Sequence, residues 1–400
     1  MNVTIINESL NYGGAAKISK IIFNGLLKDN NISINYFYAF HGEEAGSMVN
    51  INKSKQIFLS KINRYVLGKQ DSNIFKLDKK LKSSIETSDI IHIHNIHDSY
   101  ISLKNLVKEV KQNDIKVIWT LHDSWLITGR CAVPNECNGW INGCSNCQFP
   151  NHYPASLTRY ENENLKRKVE LLETIKNKLV LVSPSEWLLK NVKSSYFKNY
   201  DIRLINNGID LNNFYIIANK ERLREKYGLK GDSKIALFVA ANLKDSYKGV
   251  EYIHELVAKH KDIIFIIVGN NSEVFEKYSN VKIFNYVHEE KEMNEIYNIS
   301  DILLTPYKYD NFPTTILEGM ACGVAVLGIN KGGIPEILKE IGYLTQPENF
   351  VEYFGKIDFE ELRLNKTKEK IRNYAVNKYS MERMVKEYKL LFEELLNESK

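Results

Sequence analysis

Two acids separated by seven residues stand where strand-like sequence gives way to helix-like sequence: Asp310-Asn311-Phe312-Pro313-Thr314-Thr315-Ile316-Leu317-Glu318. The stretch continues through Gly319-Met320-Ala321-Cys322-Gly323 and an apolar run to Gly332-Gly333-Ile334-Pro335-Glu336. Carboxylates so placed can accept hydrogen bonds from sugar hydroxyls. The unpaired N–H groups of Thr314, Thr315 and Ile316 at a helix start would form an anion site suited to phosphate. The pattern is unlike a metal cage, and no Asp-x-Asp occurs to indicate a catalytic metal.

Other residues ask for a role beside it. Asn11-Tyr12-Gly13-Gly14-Ala15-Ala16 follows a first strand and opens a helix, and paired glycines let backbone approach a ligand closely. Ile118-Trp119-Thr120-Leu121-His122-Asp123 sets a histidine and an aspartate just past a strand end. Cys131, Cys137, Cys144 and Cys147 follow directly. Four thiols within seventeen residues, in a reducing compartment, read as a tetrahedral structural zinc site better than as disulfides, although the spacing is not that of a standard finger. Asn242-Leu243-Lys244-Asp245-Ser246-Tyr247-Lys248-Gly249 follows another strand, and two cations there would stabilise a leaving diphosphate.

The elements that must carry these residues alternate. Residues 3–7, 32–40, 90–95, 115–120 and 179–183 read as strands with amphipathic segments between them. The pattern restarts with strands at 234–240, 263–268, 281–284, 302–304 and 324–327, and helices near 249–259, 291–299 and 313–321. Alternation of this kind predicts parallel, doubly wound α/β sheets, here two Rossmann-like domains in tandem. The boundary is placed at 197/198, after a helix near 186–192, and 380–400 reads as a final amphipathic helical segment, which a family resemblance assigns to the first domain.

With those motifs in place, the sequence resembles a retaining glycosyltransferase of family 4, the large group with the GT-B fold. The family signature is an acid, seven residues and a glutamate before a helix of the type E-A/G-M-A-x-G. Here the first acid is Asp310 rather than glutamate, and Asn242 stands where the family has an arginine that grips the donor diphosphate. The resemblance implies that Lys248 holds the diphosphate, with Lys244 replacing the missing charge. It also implies that Glu318 binds the ribose, Asp310 and His122 the sugar, and the Gly13-Gly14 loop the diphosphate and transferred sugar. A nucleotide sugar, UDP-linked before GDP-linked, would be the donor, and a glycan or lipid-linked oligosaccharide of a bacterial surface polysaccharide the acceptor. Relatives with this cysteine insert resemble exopolysaccharide and O-antigen transferases. The alternative is a non-catalytic GT-B protein that binds nucleotide or glycan; a dehydrogenase is excluded because no strand is followed by G-x-G-x-x-G.

Length and composition agree. The chain of 400 residues, 44% hydrophobic, can bury two ordinary cores. No apolar run approaches the roughly 18 residues of a membrane span, and strand-like sequence begins at Asn2, so a cytoplasmic protein is expected. The net charge of +5 is uneven: residues 1–200 hold 26 Lys+Arg against 18 Asp+Glu, residues 201–400 hold 28 against 31. Nine of those cations fall in 53–82, with Phe58, Ile62, Tyr65 and Val66 at near-helical spacing. That segment reads either as an ordinary surface helix or, as in family members with lipid-linked acceptors, as a basic helix lying on a membrane. Nothing indicates nucleic acid.

Overall fold

The computed structural model describes residues 1–70 and 76–397. The chain divides into two compact units, Met1–Asn206 with Met384–Lys400, and Asn207–Arg383. The division between Asn206 and Asn207 falls later than the 197/198 expected, because a strand too polar to recognise, Asp201–Leu204, still belongs to the first sheet.

The first unit holds seven strands: β1 (Asn2–Ile6), β2 (Ser33–Tyr38), β3 (Met48–Asn50), β4 (Ile90–Ile93), β5 (Lys116–Thr120), β6 (Leu179–Ser183) and β7 (Asp201–Leu204). They pair in the order β3-β2-β1-β4-β5-β6-β7, every neighbour parallel. The central strands are continuous apolar runs because helices cover both faces. The helix Met381–Asn397 completes one face, burying Met384, Tyr388, Leu391, Phe392 and Leu395 against Ile18, Ile22 and their neighbours. Each such large apolar side chain contributes roughly 1.5–3 kcal/mol on burial. Residues 398–400 of the segment expected at 380–400 lie outside the described residues.

The second unit holds six strands: β8 (Lys234–Asn242), β9 (Ile263–Asn270), β10 (Val281–Phe284), β11 (Ile302–Thr305), β12 (Ala325–Ile329) and β13 (Tyr343–Thr345). Their order is β10-β9-β8-β11-β12-β13, again wholly parallel. In both sheets the strand order reverses once, between β1 and β4 and between β8 and β11. The loops leaving those strands diverge there and open a crevice, and that is where the motif residues lie.

Candidate active site

In the second unit the crevice is built by the loops after β8 and β11. The turn Ser246–Lys248 ends at Gly249, whose φ of +71° suits glycine, and a Cβ there would stand 2.1 Å from Pro306 O. That close approach, with Lys308 N–H donating to Tyr247 O at 2.7 Å, brings Lys248 to Asp310: Nζ to Oδ2 is 2.7 Å. The ammonium also lies 4.3 Å from the centre of the Tyr307 ring. From the other side Gly332, φ +62°, would press a Cβ to 2.3 Å of Asp310 O, and Gly333 N–H donates to that oxygen at 2.9 Å. The two motif glycines therefore clamp the backbone of the first acid.

The helix Thr314–Ala321 starts beside this pair, with Pro313 at its N-cap and no side-chain cap. Ile316 differs from the expectation: its N–H donates to Pro313 O at 3.2 Å, because the first turn closes tightly, so the candidate anion donors are those of Thr314 and Thr315. Glu318 is buried, and its Oε2 accepts the Tyr297 hydroxyl at 2.9 Å. Burial and the adjacent Glu318 push that phenol far above its ordinary range, so it remains a donor that aims the carboxylate.

Lys244 is not brought to Asp310. Its backbone N–H bonds Asn242 Oδ1 at 3.1 Å and its side chain is exposed. Asn242 does not supply charge; it organises the loop, accepting from Asn271 Nδ2 at 2.8 Å and donating to Asp245 Oδ1 at 3.3 Å.

In the first unit the residues past β1, β4 and β5 meet. Gly13 starts its helix with φ +85°, and a Cβ on Gly13 or Gly14 would meet nothing within 4 Å, so the loop borders open space. His122 Nε2 lies 2.7 Å from His94 Nδ1, the ring planes 17° apart. Burial pushes His122 down to about 4 and His94 far below its ordinary value, so both rings are neutral. His97 is the opposite case. Burial alone would lower it, but Asp123, 2.9 Å away, and Glu8, 3.7 Å away, raise it to about 9, making it an imidazolium between two carboxylates. Asp123, held low by His97 against its own burial, also accepts Trp125 N–H at 2.8 Å. His94 and His97 are site neighbours that the sequence reading missed, although His92, His94 and His97 within six residues were the signal.

All five cysteines are free thiols, yet among the described residues no group of three or more His, Cys, Asp or Glu is placed to hold a metal ion. Cys144 Sγ accepts Gly129 N–H at 3.1 Å and Cys137 Sγ accepts Gly139 N–H at 3.4 Å. The buried Arg130 ties the insert together, donating to Glu161 at 3.2 Å, to Phe149 O at 2.9 Å, and to the carbonyls of His152 and Pro154.

The basic segment 53–82 contains the helix Ser54–Leu67; residues 71–75 lie outside the described residues. Ile57 and Ser60 are buried and Lys61 and Arg64 pair with Asp98, while Phe58, Leu59, Ile62, Tyr65, Val66 and Leu67 are exposed. No described helix is long and apolar enough to cross a membrane.

The model for glycosyl transferases group 1 matches residues 219–378, and that for glycosyltransferase family 4 matches residues 40–213. The putative colanic acid biosynthesis glycosyl transferase WcaC of Escherichia coli is 28% identical over 374 residues, covering 88% of each chain. The N,N'-diacetylbacillosaminyl-diphospho-undecaprenol alpha-1,3-N-acetylgalactosaminyltransferase of Campylobacter jejuni is 28% identical over 40% of this chain and 46% of its own. Among solved structures, Anabaena Alr3699/HepE in complex with UDP-glucose superposes with a TM-score of 0.66 at 14% identity, covering all of both chains. WaaG, a glycosyltransferase involved in lipopolysaccharide biosynthesis, gives 0.60 at 14% identity, covering 96% of this chain and 98% of its own. Two parallel doubly wound units, the two family models and these relatives lead to one statement: the chain belongs to the family 4 glycosyltransferases and has the GT-B fold.

Proposed function

We propose that the protein transfers a sugar, with retention at its anomeric carbon, from a UDP-sugar to a glycan or lipid-linked oligosaccharide during assembly of a bacterial surface polysaccharide. The observation that carries the donor half is the Lys248–Asp310 pair at the reversal of the second sheet, 2.7 Å apart beside an uncapped helix start. As the C1–O bond to the diphosphate breaks, charge develops on the phosphates. Lys248 and the N–H groups of Thr314 and Thr315 neutralise it, Glu318 holds the ribose and Asp310 a sugar hydroxyl. The acceptor oxygen takes C1 and its proton leaves with the diphosphate, so no metal is required. His122, a neutral imidazole, would meet the sugar, and Gly13-Gly14 would admit the donor closely. WcaC, named for colanic acid, and HepE, solved with UDP-glucose, support the polysaccharide role and the choice of base.

The test is a thermal-shift and hydrolysis screen of the full chain against UDP-, GDP-, ADP- and CMP-sugars, with Glu318→Ala in parallel. UDP-sugar is expected to raise the melting temperature of the wild type and to be released as UDP, with both effects lost in the variant. Stabilisation without turnover, even with acceptor extracts, would favour the non-catalytic binding protein, a reading that Asn242 in place of a cation supports.

The outward apolar residues of the helix Ser54–Leu67, beside the exposed Lys55 and Lys69, support contact with an anionic membrane surface, which a cytoplasmic enzyme with a lipid-linked acceptor would use. Co-sedimentation with phosphatidylglycerol vesicles is expected for the wild type and lost in Phe58→Ser/Ile62→Ser/Val66→Ser; equal binding by both would refute the contact. The structural zinc on Cys131, Cys137, Cys144 and Cys147 also remains a proposal. It is supported by unpaired thiols in one insert, two of them accepting backbone N–H groups as metal-bound sulfurs do. Elemental analysis of the purified protein should find about one zinc per chain, and its absence would leave Arg130 as the insert's organiser.

A further inference from the structure

His94 has no step in the transfer proposed above, yet its ring is fully buried and its Nδ1 lies 2.7 Å from Nε2 of His122. Both rings are neutral, so this is an N–H···N bond in which one nitrogen donates and the other accepts. Only two arrangements exist. If His122 donates from Nε2, His94 must carry its proton on its own Nε2, which is buried and has no hydrogen-bond partner among the described residues. An N–H would then be orphaned in the interior, the rarest and one of the costliest kinds of unsatisfied group. If His94 donates from Nδ1, its Nε2 is a bare lone pair and no N–H is orphaned.

The surroundings hold His94 in place for that task. Its ring lies 4.2 Å, centroid to centroid, from that of His92, which is fixed through Nε2 to Thr120 Oγ1 at 2.8 Å; that hydroxyl in turn reaches Tyr388 at 2.8 Å. The His122 ring lies edge to edge with that of His94, the planes 17° apart and the centroids 5.0 Å apart, as an in-plane N–H···N bond requires. The three rings therefore run from the sheet interior to the residue at the strand end.

We propose that His94 is a positioning residue: it donates its Nδ1–H to His122 Nε2, fixing the plane of the His122 ring and its tautomer, with the proton on Nδ1. The consequence for transfer rests on the glycosyltransferase reading, but the tautomer does not.

Long-range 1H–15N correlation spectra of the full chain, labelled at histidine and free of substrate, read the tautomer directly. His122 is expected to show a protonated Nδ1 and an acceptor-type Nε2, assigned by His122→Gln. In His94→Leu, His122 should become a mixture of tautomers. His94→Asn, whose amide N–H occupies the place of Nδ1, should restore the single form. In turnover, His94→Leu should lower kcat about tenfold or more with little change in KM, and His94→Asn should recover most of it. Melting curves confirm that each variant is folded. A protonated Nε2 on His122 in the wild type, or an unchanged tautomer in a folded His94→Leu, would overturn the proposal. Absence of any sugar transfer, with the tautomer as stated, would count against the functional reading alone.

Discussion

Alanine at Asp301 is expected to destabilise the unit Asn207–Arg383 by about 3–5 kcal/mol, lowering its melting temperature by about 10 °C. The carboxylate is completely buried just ahead of β11. It accepts from Lys220 at 2.8 Å, Arg224 at 2.9 Å, the Ile235 N–H at 2.9 Å and Arg363 at 3.2 Å. Removing it leaves three cations facing one another in a low-dielectric pocket, so the loss exceeds that of any one hydrogen bond. Asp301→Asn keeps an oxygen for Ile235 and should fall between wild type and alanine. Burial pushes the Asp301 carboxyl up, but Lys220, Arg224 and Arg363 reverse this and hold it below the ordinary carboxylate range. A depressed carboxyl stabilises the fold above the unfolded value and loses that contribution as pH falls through the folded one. Wild-type stability should thus fall on acidification below about pH 4, more steeply than that of Asp301→Ala. Asp301 precedes β11 whereas Asp310 follows it, so variant protein still folded in the cold should bind donor normally. A variant that melts with the wild type would refute the account.

Replacing Lys248 with methionine should lower kcat by about 10²–10³-fold with a smaller change in stability. The side chain is 16% exposed and ends in a single ion pair, so the folded state loses less than the transition state does. Charge on the departing diphosphate is greatest as the C1–O bond breaks, and Lys244, whose side chain is exposed, is not expected to stand in. Lys248→Arg should recover only part of the rate, because a planar guanidinium does not occupy the place of a compact ammonium between Asp310 and the Tyr307 ring. Asp310→Asn tests the same pair from the acid side and should weaken donor binding as well as rate. A Lys248→Met enzyme within about tenfold of wild type would move the diphosphate contact elsewhere.

Most of the architecture was legible because the inner strands are buried on both faces and spell unbroken apolar runs; β4, β6 and β11 could be placed almost to the residue. The edges were not. β3, β7 and β13 are three or four residues long, half-buried and, in β7, polar, so they carry neither periodicity nor an apolar run. In the site, local chemistry was readable and long-range partnership was not. Asp310, Glu318, Lys248 and His122 sit in recognisable motifs, but the Tyr297 bond to Glu318 spans 21 positions and the His94 bond to His122 spans 28. Such partners are chosen by sheet order. Ile316 failed for a smaller reason: a helix start leaves N–H groups unpaired only until a tight first turn claims one.

The first unit is written in two pieces, with 207–383 between them. On the ribosome, at about 5–20 residues per second, the interval between making Asn206 and Met384 is about 10–40 s. Throughout it the sheet face that Tyr388 and Phe392 will cover, carrying His92 and Thr120, has no lid. The unit encoded later is continuous and can finish while the earlier one waits. Completion therefore runs against the direction of synthesis, and the nascent N-terminal sheet is the part of this protein that needs shielding in the cell.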